Sequence, residues 1–288
     1  MSRRIVVAAV LLVVSCAVAF PARAQTAPPP RRIVSMIPAT TEMLFAMGAG
    51  DRVVGVSNYD HYPPEVERLT RVGGLADPNV ERLLAMKPDL VVVYASQQEL
   101  KAQLTRAGIP FYDYVHRGLP DITGTMRSLG TRIGEAAAAD AAARRVEAQL
   151  EAVRARVAGR PTPRTLLVFG REAGTLRQIN ASAGVGFLHD LLVLAGGTDV
   201  LADIGRQSAM LSTEMVLLRA PDAIIELHYG QSLAAENVER ERRVWDALGS
   251  VPAVRSRRIY LLTGDEFVIP GPRIVRAAEQ FADVLHGR

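Results

Sequence analysis

Cysteine is nearly absent. Cys16 is the only one in 288 residues, which excludes a disulfide within the chain and any CxxC or four-cysteine metal site. Lysine is almost as scarce, with Lys87 and Lys101 standing against 32 arginines, a ratio that looks like genomic codon bias rather than a binding signal. The five histidines (61, 116, 189, 228 and 286) include no i,i+3 or i,i+4 pair, so helical metal-ligand spacing is missing and no metal site is expected. There is no GxSxG elbow, no Walker A loop and no HExxH. Gly184-Val185-Gly186 lacks the third glycine of a dinucleotide loop and follows no clear strand. What is present is enough apolar sequence for a large core, with 49% hydrophobic and 22% charged residues.

Residues 1–24 read as an export signal. Arg3 and Arg4 precede a nearly unbroken apolar run from Ile5 to Phe20, and Ala22-Arg23-Ala24 supplies the small-x-small cleavage pattern. The run is shorter than the ~20 residues a membrane span needs. Val13-Val14-Ser15-Cys16 is a permissive lipoprotein box, which would make Cys16 the anchor. Because the apolar run continues past Cys16, cleavage after Ala24 and a free periplasmic chain are the favoured expectation. Removal of residues 1–24 leaves 31 basic against 30 acidic residues, so the formal charge of +4 falls to +1. A near-neutral chain has no electrostatic footprint for nucleic acid.

Residues 25–30 read as a flexible tether. An α/β lobe is expected over 31–120, a helical segment with a long connecting helix over 121–160, and a second α/β lobe over 161–288. Short β-branched runs such as Ile33–Ile37, Val53–Val56, Leu90–Tyr94 and Phe111–Val115 alternate with helical patterns, as parallel α/β units do. Ile122, Met126, Leu129 and Ile133 repeat at helical spacing, as do Val146, Leu150, Val153 and Val157. Strand patterns resume at Thr165–Phe169, Ala223–Leu227 and Ile259–Leu262. An internal repeat relates the halves: "NVERLLAMKPDLVVV" from Asn79 matches "STEMVLLRAPDAIIE" from Ser212. Each has Glu two residues after a capping residue, then Pro-Asp, then an apolar strand. Two similar lobes with a ligand cleft between them follow.

The loops after these strands are rich in aromatic and polar residues: Tyr59, Tyr94, His116, Phe169-Gly170, Arg206-Gln207-Ser208, His228-Tyr229 and Asp265-Glu266-Phe267. Facing aromatics suit a large flat ligand. The neighbours Asp60 and His61 leave open an exported hydrolase, although no activated nucleophile accompanies them.

Two stretches, "RRIVSMIPATTEMLFAMGAGDRVVGVSNYDHYPPEV" and "VGGLADPNVERLLAMKPDLVVV", make the chain resemble the substrate-binding proteins of ABC importers for cobalamin, iron-siderophore complexes and haem. The resemblance covers residues 31 to about 286 and is strongest to the cobalamin-binding branch. It implies two Rossmann-like lobes joined by one long helix, with an inner-membrane permease dimer and its ATPase subunits as partners. It implies a monomer that is not an enzyme and carries no cofactor, its ligand being cargo. Carried over by position, it implies ligand contacts from Pro38, Ala39, Thr40, Tyr59, Phe169, Gly170, Asp265 and Phe267. Leu75 and Ser208 stand where cobalamin sites carry tryptophans. Gly74 stands where haem binders carry a ligating tyrosine. Arg117, Arg171 and Arg206 keep an anionic ferric chelate open. Glu81 and Glu214 match glutamates that dock on permease arginines, with a first-turn carboxylate at a helix dipole as their plain alternative role.

Overall fold

The computed structural model describes residues 28–230 and 235–287. The export signal, Cys16 and residues 25–27 of the expected tether lie outside the described residues. Of the tether's end, Pro29 packs beside Gly134 and Pro30 is already buried, so the folded body starts earlier than the composition suggests.

The first lobe is a parallel sheet of β1 (Ile33–Ser35), β2 (Val53–Val56), β3 (Thr70–Arg71), β4 (Leu90–Tyr94) and β5 (Phe111–Tyr114), in the order β3-β2-β1-β4-β5. Leu90 to Val93 are fully buried, which is why that run is apolar without alternation. Helices α1 (Pro38–Ala46), α2 (Val80–Ala85), α3 (Gln98–Arg106) and α4 (Pro120–Arg132) accompany the sheet. Helix α5 (Ala136–Val157) then runs 22 residues, about 33 Å at 1.5 Å per residue. Its buried stripe is Ala139, Ala142, Ala143, Val146, Leu150, Val153 and Val157. The stripe can seat closely on α4 because residue 130 is glycine; a Cβ there would stand 2.1 Å from that of Ala139. Arg127 fastens the same seam, with Nε 2.9 Å from Asp140 Oδ1 and its other nitrogens 2.6 and 2.8 Å from the two Glu147 oxygens.

The second lobe contains β6 (Arg164–Gly170), β7 (Ile179–Ala183), α6 (Phe187–Leu194), β8 (Thr198–Asp199), β9 (Arg206–Leu211), α7 (Thr213–Arg219), β10 (Ala223–His228), α8 (Ala235–Arg243), α9 (Pro252–Arg255), β11 (Ile259–Thr263) and α10 (Ile274–His286). Its strand order is β11-β10-β6-β7-β9, with β8 pairing the start of β6. The sheet is mixed rather than all-parallel, because β7 runs antiparallel to both β6 and β9. Strand β7 is what the Gly184-Val185-Gly186 segment follows.

The repeated Pro-Asp has one structural job in both lobes. Asp89 accepts from the backbone N–H groups of Arg31 and Arg32, each at 2.8 Å, at the entry to β1. Asp222 accepts from Arg164 N at 3.1 Å at the entry to β6. The arginine side chains complete the match: Arg32 Nη2 donates to Met86 O at 2.7 Å, and Arg164 Nη2 to Arg219 O at 2.8 Å, closing the ends of α2 and α7. Lys87 and Ala220, just before the prolines, both take positive φ (48° and 44°), the left-handed conformation in which helices commonly end, with a proline next that cannot continue the helix.

One continuous core joins the lobes. It takes in β1, β4, α1, α4 and α5, then the inner face of the second sheet through Leu167, Ile225 and Leu227, and ends in α10 with Ile274, Ala278 and Phe281. Leu166, Val168, Ile224 and Trp245 form a separate cluster on the outer face of that sheet.

Candidate functional site

In both lobes the C-terminal ends of parallel strands open toward a shared cleft, the usual place for sites in open α/β sheets. A cavity of about 540 Å³ lies there. The first lobe contributes His116 and Arg117, just beyond β5; the second contributes Phe169 of β6, Phe187 of α6, Gln207 and Ser208 of β9, and Tyr229 beyond β10. The volume falls within the range of small-molecule sites.

Of the expected contacts, Phe169 and Ser208 line this cavity, and Gly170 ends the same strand as Phe169. Tyr59, 63% exposed, and Leu75, 48% exposed, sit on first-lobe loops and do not line it. Those loops are fastened together. Asn58 N donates to Gly73 O at 2.9 Å, while Gln97 donates to Leu75 O at 3.1 Å and accepts from Tyr94 N at 3.0 Å. Gly74 lies directly under the Tyr59 ring, and a Cβ there would come 2.6 Å from it. A larger residue at 74 would displace Tyr59.

Two expected ligand contacts need correction. Residues 38–40 form the first turn of α1. Ala39 and Thr40 are buried, and the Thr40 hydroxyl is used up on Ser35 Oγ (2.9 Å) and Ile37 O (3.0 Å), leaving half-buried Pro38 as the accessible member. Phe267 is fully buried and stacks on Phe281 with ring centroids 5.9 Å apart, so it belongs to the core. Asp265 lies between roles: its carboxylate accepts from Gly230 N at 2.9 Å and ties the loops after β10 and β11 together.

Arg171 is also not available to a ligand. Its side chain is 2% exposed, with Nε 3.0 Å from Glu226 Oε1 and Nη2 2.9 Å from Glu241 Oε2. Trp245 donates to Glu226 Oε2 at 2.8 Å, and His228 Nε2 lies 2.9 Å from Oε1. Burial alone would raise the Glu226 pKa; the hydrogen bond from His228 and the Arg171 charge overcome it and hold the carboxyl below its ordinary value. This network was signalled in the sequence by a glutamate inside the apolar run of β10. Arg117 is exposed but gripped by Asp121, at 3.1 and 3.2 Å.

Asp60 and His61 do not form a catalytic pair. Asp60 is fully buried, accepting from Ser57 Oγ (2.5 Å) and Ser57 N (2.9 Å), and burial raises its pKa. His61 turns outward, 3.4 Å from Glu67 Oε1.

Across the lobes, Glu42 of α1 accepts from Arg273 at 3.0 and 2.6 Å, and the Arg273 guanidinium lies 4.3 Å from the Tyr62 ring centroid. Asp190 of α6 accepts from Leu119 N at 2.8 Å. The lobes are thus clasped at two places beside the cleft. Glu81 and Glu214 are exposed in the first turns of α2 and α7, one per lobe. Their capping residues are used as expected: Asn79 accepts from Arg82 N at 2.9 Å and Ser212 from Met215 N at 3.4 Å. The Ser212 hydroxyl and the helix backbone hold the Glu214 pKa below its ordinary value.

Two lobes with a strand-end cleft between them define a ligand-capturing architecture, and residues 33–266 match the model of the periplasmic binding protein family, to which the chain belongs. This is a family of binding proteins, not of enzymes. The chain is 32% identical over 256 residues to the vitamin B12-binding protein of Salmonella choleraesuis (strain SC-B67), covering 88% of this chain and 90% of that one. Its fold matches the periplasmic vitamin B12 binding protein BtuF of Vibrio cholerae with a TM-score of 0.75 and 26% identity, over 89% of this chain and 97% of that one. It also matches the periplasmic haem-binding protein RhuT from Roseiflexus sp. RS-1, with a TM-score of 0.72 and 27% identity, over 88% and 98% of the two chains. Among the described residues no helix is long and apolar enough to cross a membrane.

Proposed function

We propose that the chain is an exported substrate-binding protein that captures a cobalamin-like corrinoid between its lobes and hands it to an inner-membrane ABC importer. The observation that carries the choice of cargo is the charge state of the cleft. A siderophore chelate or the propionates of haem call for free cations, and of three candidate arginines Arg171 is buried in ion pairs while Arg117 is neutralised by Asp121. Arg206, exposed at the start of β9, alone supports the ferric-siderophore reading. The walls otherwise offer aromatic faces, hydroxyl and amide groups, as an uncharged amide-bearing macrocycle requires. Gly74 beneath Tyr59 weighs against haem, for the reason given above. Glu81 and Glu214, at equivalent places on the two lobes, suit a twofold permease dimer.

The test is a melting-shift panel of cobalamin, cobinamide, haem and ferric siderophores. A ligand at a hundredfold its Kd stabilises a protein by about 2.7 kcal/mol, a readily measured shift. Cobalamin and cobinamide are expected to raise the melting temperature. A large shift with a ferric chelate and none with a corrinoid would reverse the assignment.

A further inference from the structure

Two neighbouring side chains beyond the end of β5 carry polar atoms that no described residue satisfies. Both ring nitrogens of His116 and the hydroxyl of Tyr114 are buried without a hydrogen-bond partner. Such atoms are rare in folded proteins because burial strips their water, so they call for a partner from outside the chain. The His116 ring is held on both sides. It lies nearly parallel to Tyr114 (7°, centroids 6.2 Å apart) and meets the edge of Phe187, from the other lobe, at 5.1 Å. His116 lines the interlobe cavity, and Gln207 and Ser208 line it from the second lobe.

The surroundings of the imidazole favour its neutral form. Burial lowers its pKa, and the two carboxylates that face it, Asp121 and Asp190, oppose this without prevailing. Both are engaged elsewhere, Asp121 by Arg117 and Asp190 by Leu119 N. A neutral imidazole presents one N–H donor and one lone pair. Gln207 and Ser208 likewise offer both a donor and an acceptor. A carboxamide matches such a set, having an NH₂ and a carbonyl. A carboxylate brings only acceptors and leaves the imidazole lone pair facing negative charge.

We propose that His116, with Gln207 and Ser208 opposite, is a specificity determinant through which the cavity selects an uncharged carboxamide edge of its ligand over a carboxylate. This rests on the corrinoid reading and adds to it an expected preference for amidated rings. The experiment is calorimetric titration of cobinamide, whose ring carries primary amides, and of cobyrinic acid, whose ring carries carboxylic acids. It compares the wild-type protein with His116→Phe, which keeps a ring between Tyr114 and Phe187, and with His116→Gln, which keeps one donor and one acceptor. Wild type is expected to prefer cobinamide. His116→Phe should lose roughly 10- to 50-fold in cobinamide affinity and much less for cobyrinic acid, while the melting temperature of the empty protein holds. His116→Gln should recover part of the selectivity, which a purely packing role would not. An unchanged selectivity ratio in His116→Phe overturns the inference alone. So does a visible spectrum of bound aquocobinamide showing imidazole ligation to cobalt that is lost in the variant. Failure of the wild type to bind either corrinoid overturns the cargo assignment and this inference with it.

Discussion

Tyr59 and Phe267 come from similar strand-end loops yet end in opposite environments, one in solvent and one in the core. Neither fate could be read from residue type, since an aromatic after a strand serves a ligand or a core equally well; what decided it was the position of α10, whose Phe281 receives Phe267. Exposed Tyr59 offers a ring face and a hydroxyl without holding the fold. Tyr59 lies outside the interlobe cavity, so a corrinoid reaches it only by extending over the first-lobe loops; in that case Tyr59→Ala weakens binding by about 1–3 kcal/mol, as for other aromatic anchors, and leaves the melting temperature of the empty protein nearly unchanged. Calorimetry and thermal denaturation on the same sample check both halves. A large loss of stability with binding intact would place Tyr59 in a structural role. Thr40 illustrates a different limit: its hydroxyl was legible as polar, but its use on Ser35 and Ile37 depends on α1 starting with only Met36 and Ile37 between it and β1.

At the level of elements, the parallel strands and α5 were legible because their patterns are long and apolar; the long helix expected within 121–160 spans Ala136–Val157. Strands β7 and β9 were not legible. Ile179–Ala183 alternates with small polar residues, and Arg206–Leu211 is mostly exposed, so neither shows the continuous apolar run of a covered strand. The α4–α5 seam carries a prediction. Hydrogen bonds from Arg127, then Thr123, push the Glu147 pKa down to about 2. A carboxylate with a depressed folded-state pKa stabilises the fold above its unfolded value, near 4.5, and loses that contribution as pH falls through the folded value. The pair is solvent-facing, so the effect is small. Arg127→Ala should lower the melting temperature by on the order of one to three degrees at neutral pH. The gap from wild type should close between pH ~4.5 and ~2. A gap that persists at the acid end would mean Arg127 acts through its aliphatic stem instead.

For the molecule as a whole, the duplicated Pro-Asp shows why the internal repeat was readable: each aspartate fastens an incoming strand whose arginine in turn closes the preceding helix end, so the same residues recur. The glutamates at the other end of those helices do nothing comparable inside the fold, which is why a docking role for them is the natural proposal. Reversing both (Glu81→Arg with Glu214→Arg) should abolish delivery to the importer in reconstituted vesicles and leave ligand affinity intact, since charge reversal turns attraction into repulsion. Normal transport by that double variant would reduce both residues to helix-dipole partners. The unbroken core has a consequence for timing. Where halves are hung on flexible strands, capture is a collision followed by a slower swing, and observed rates level off as ligand concentration rises. Here α5 and α10 are packed into one body with both sheets, and the Glu42–Arg273 and Asp190–Leu119 contacts already bridge the gap. Stopped-flow traces of corrinoid uptake should accordingly be single exponentials whose rate climbs linearly with concentration, and the work of prising the cargo loose falls to the transporter.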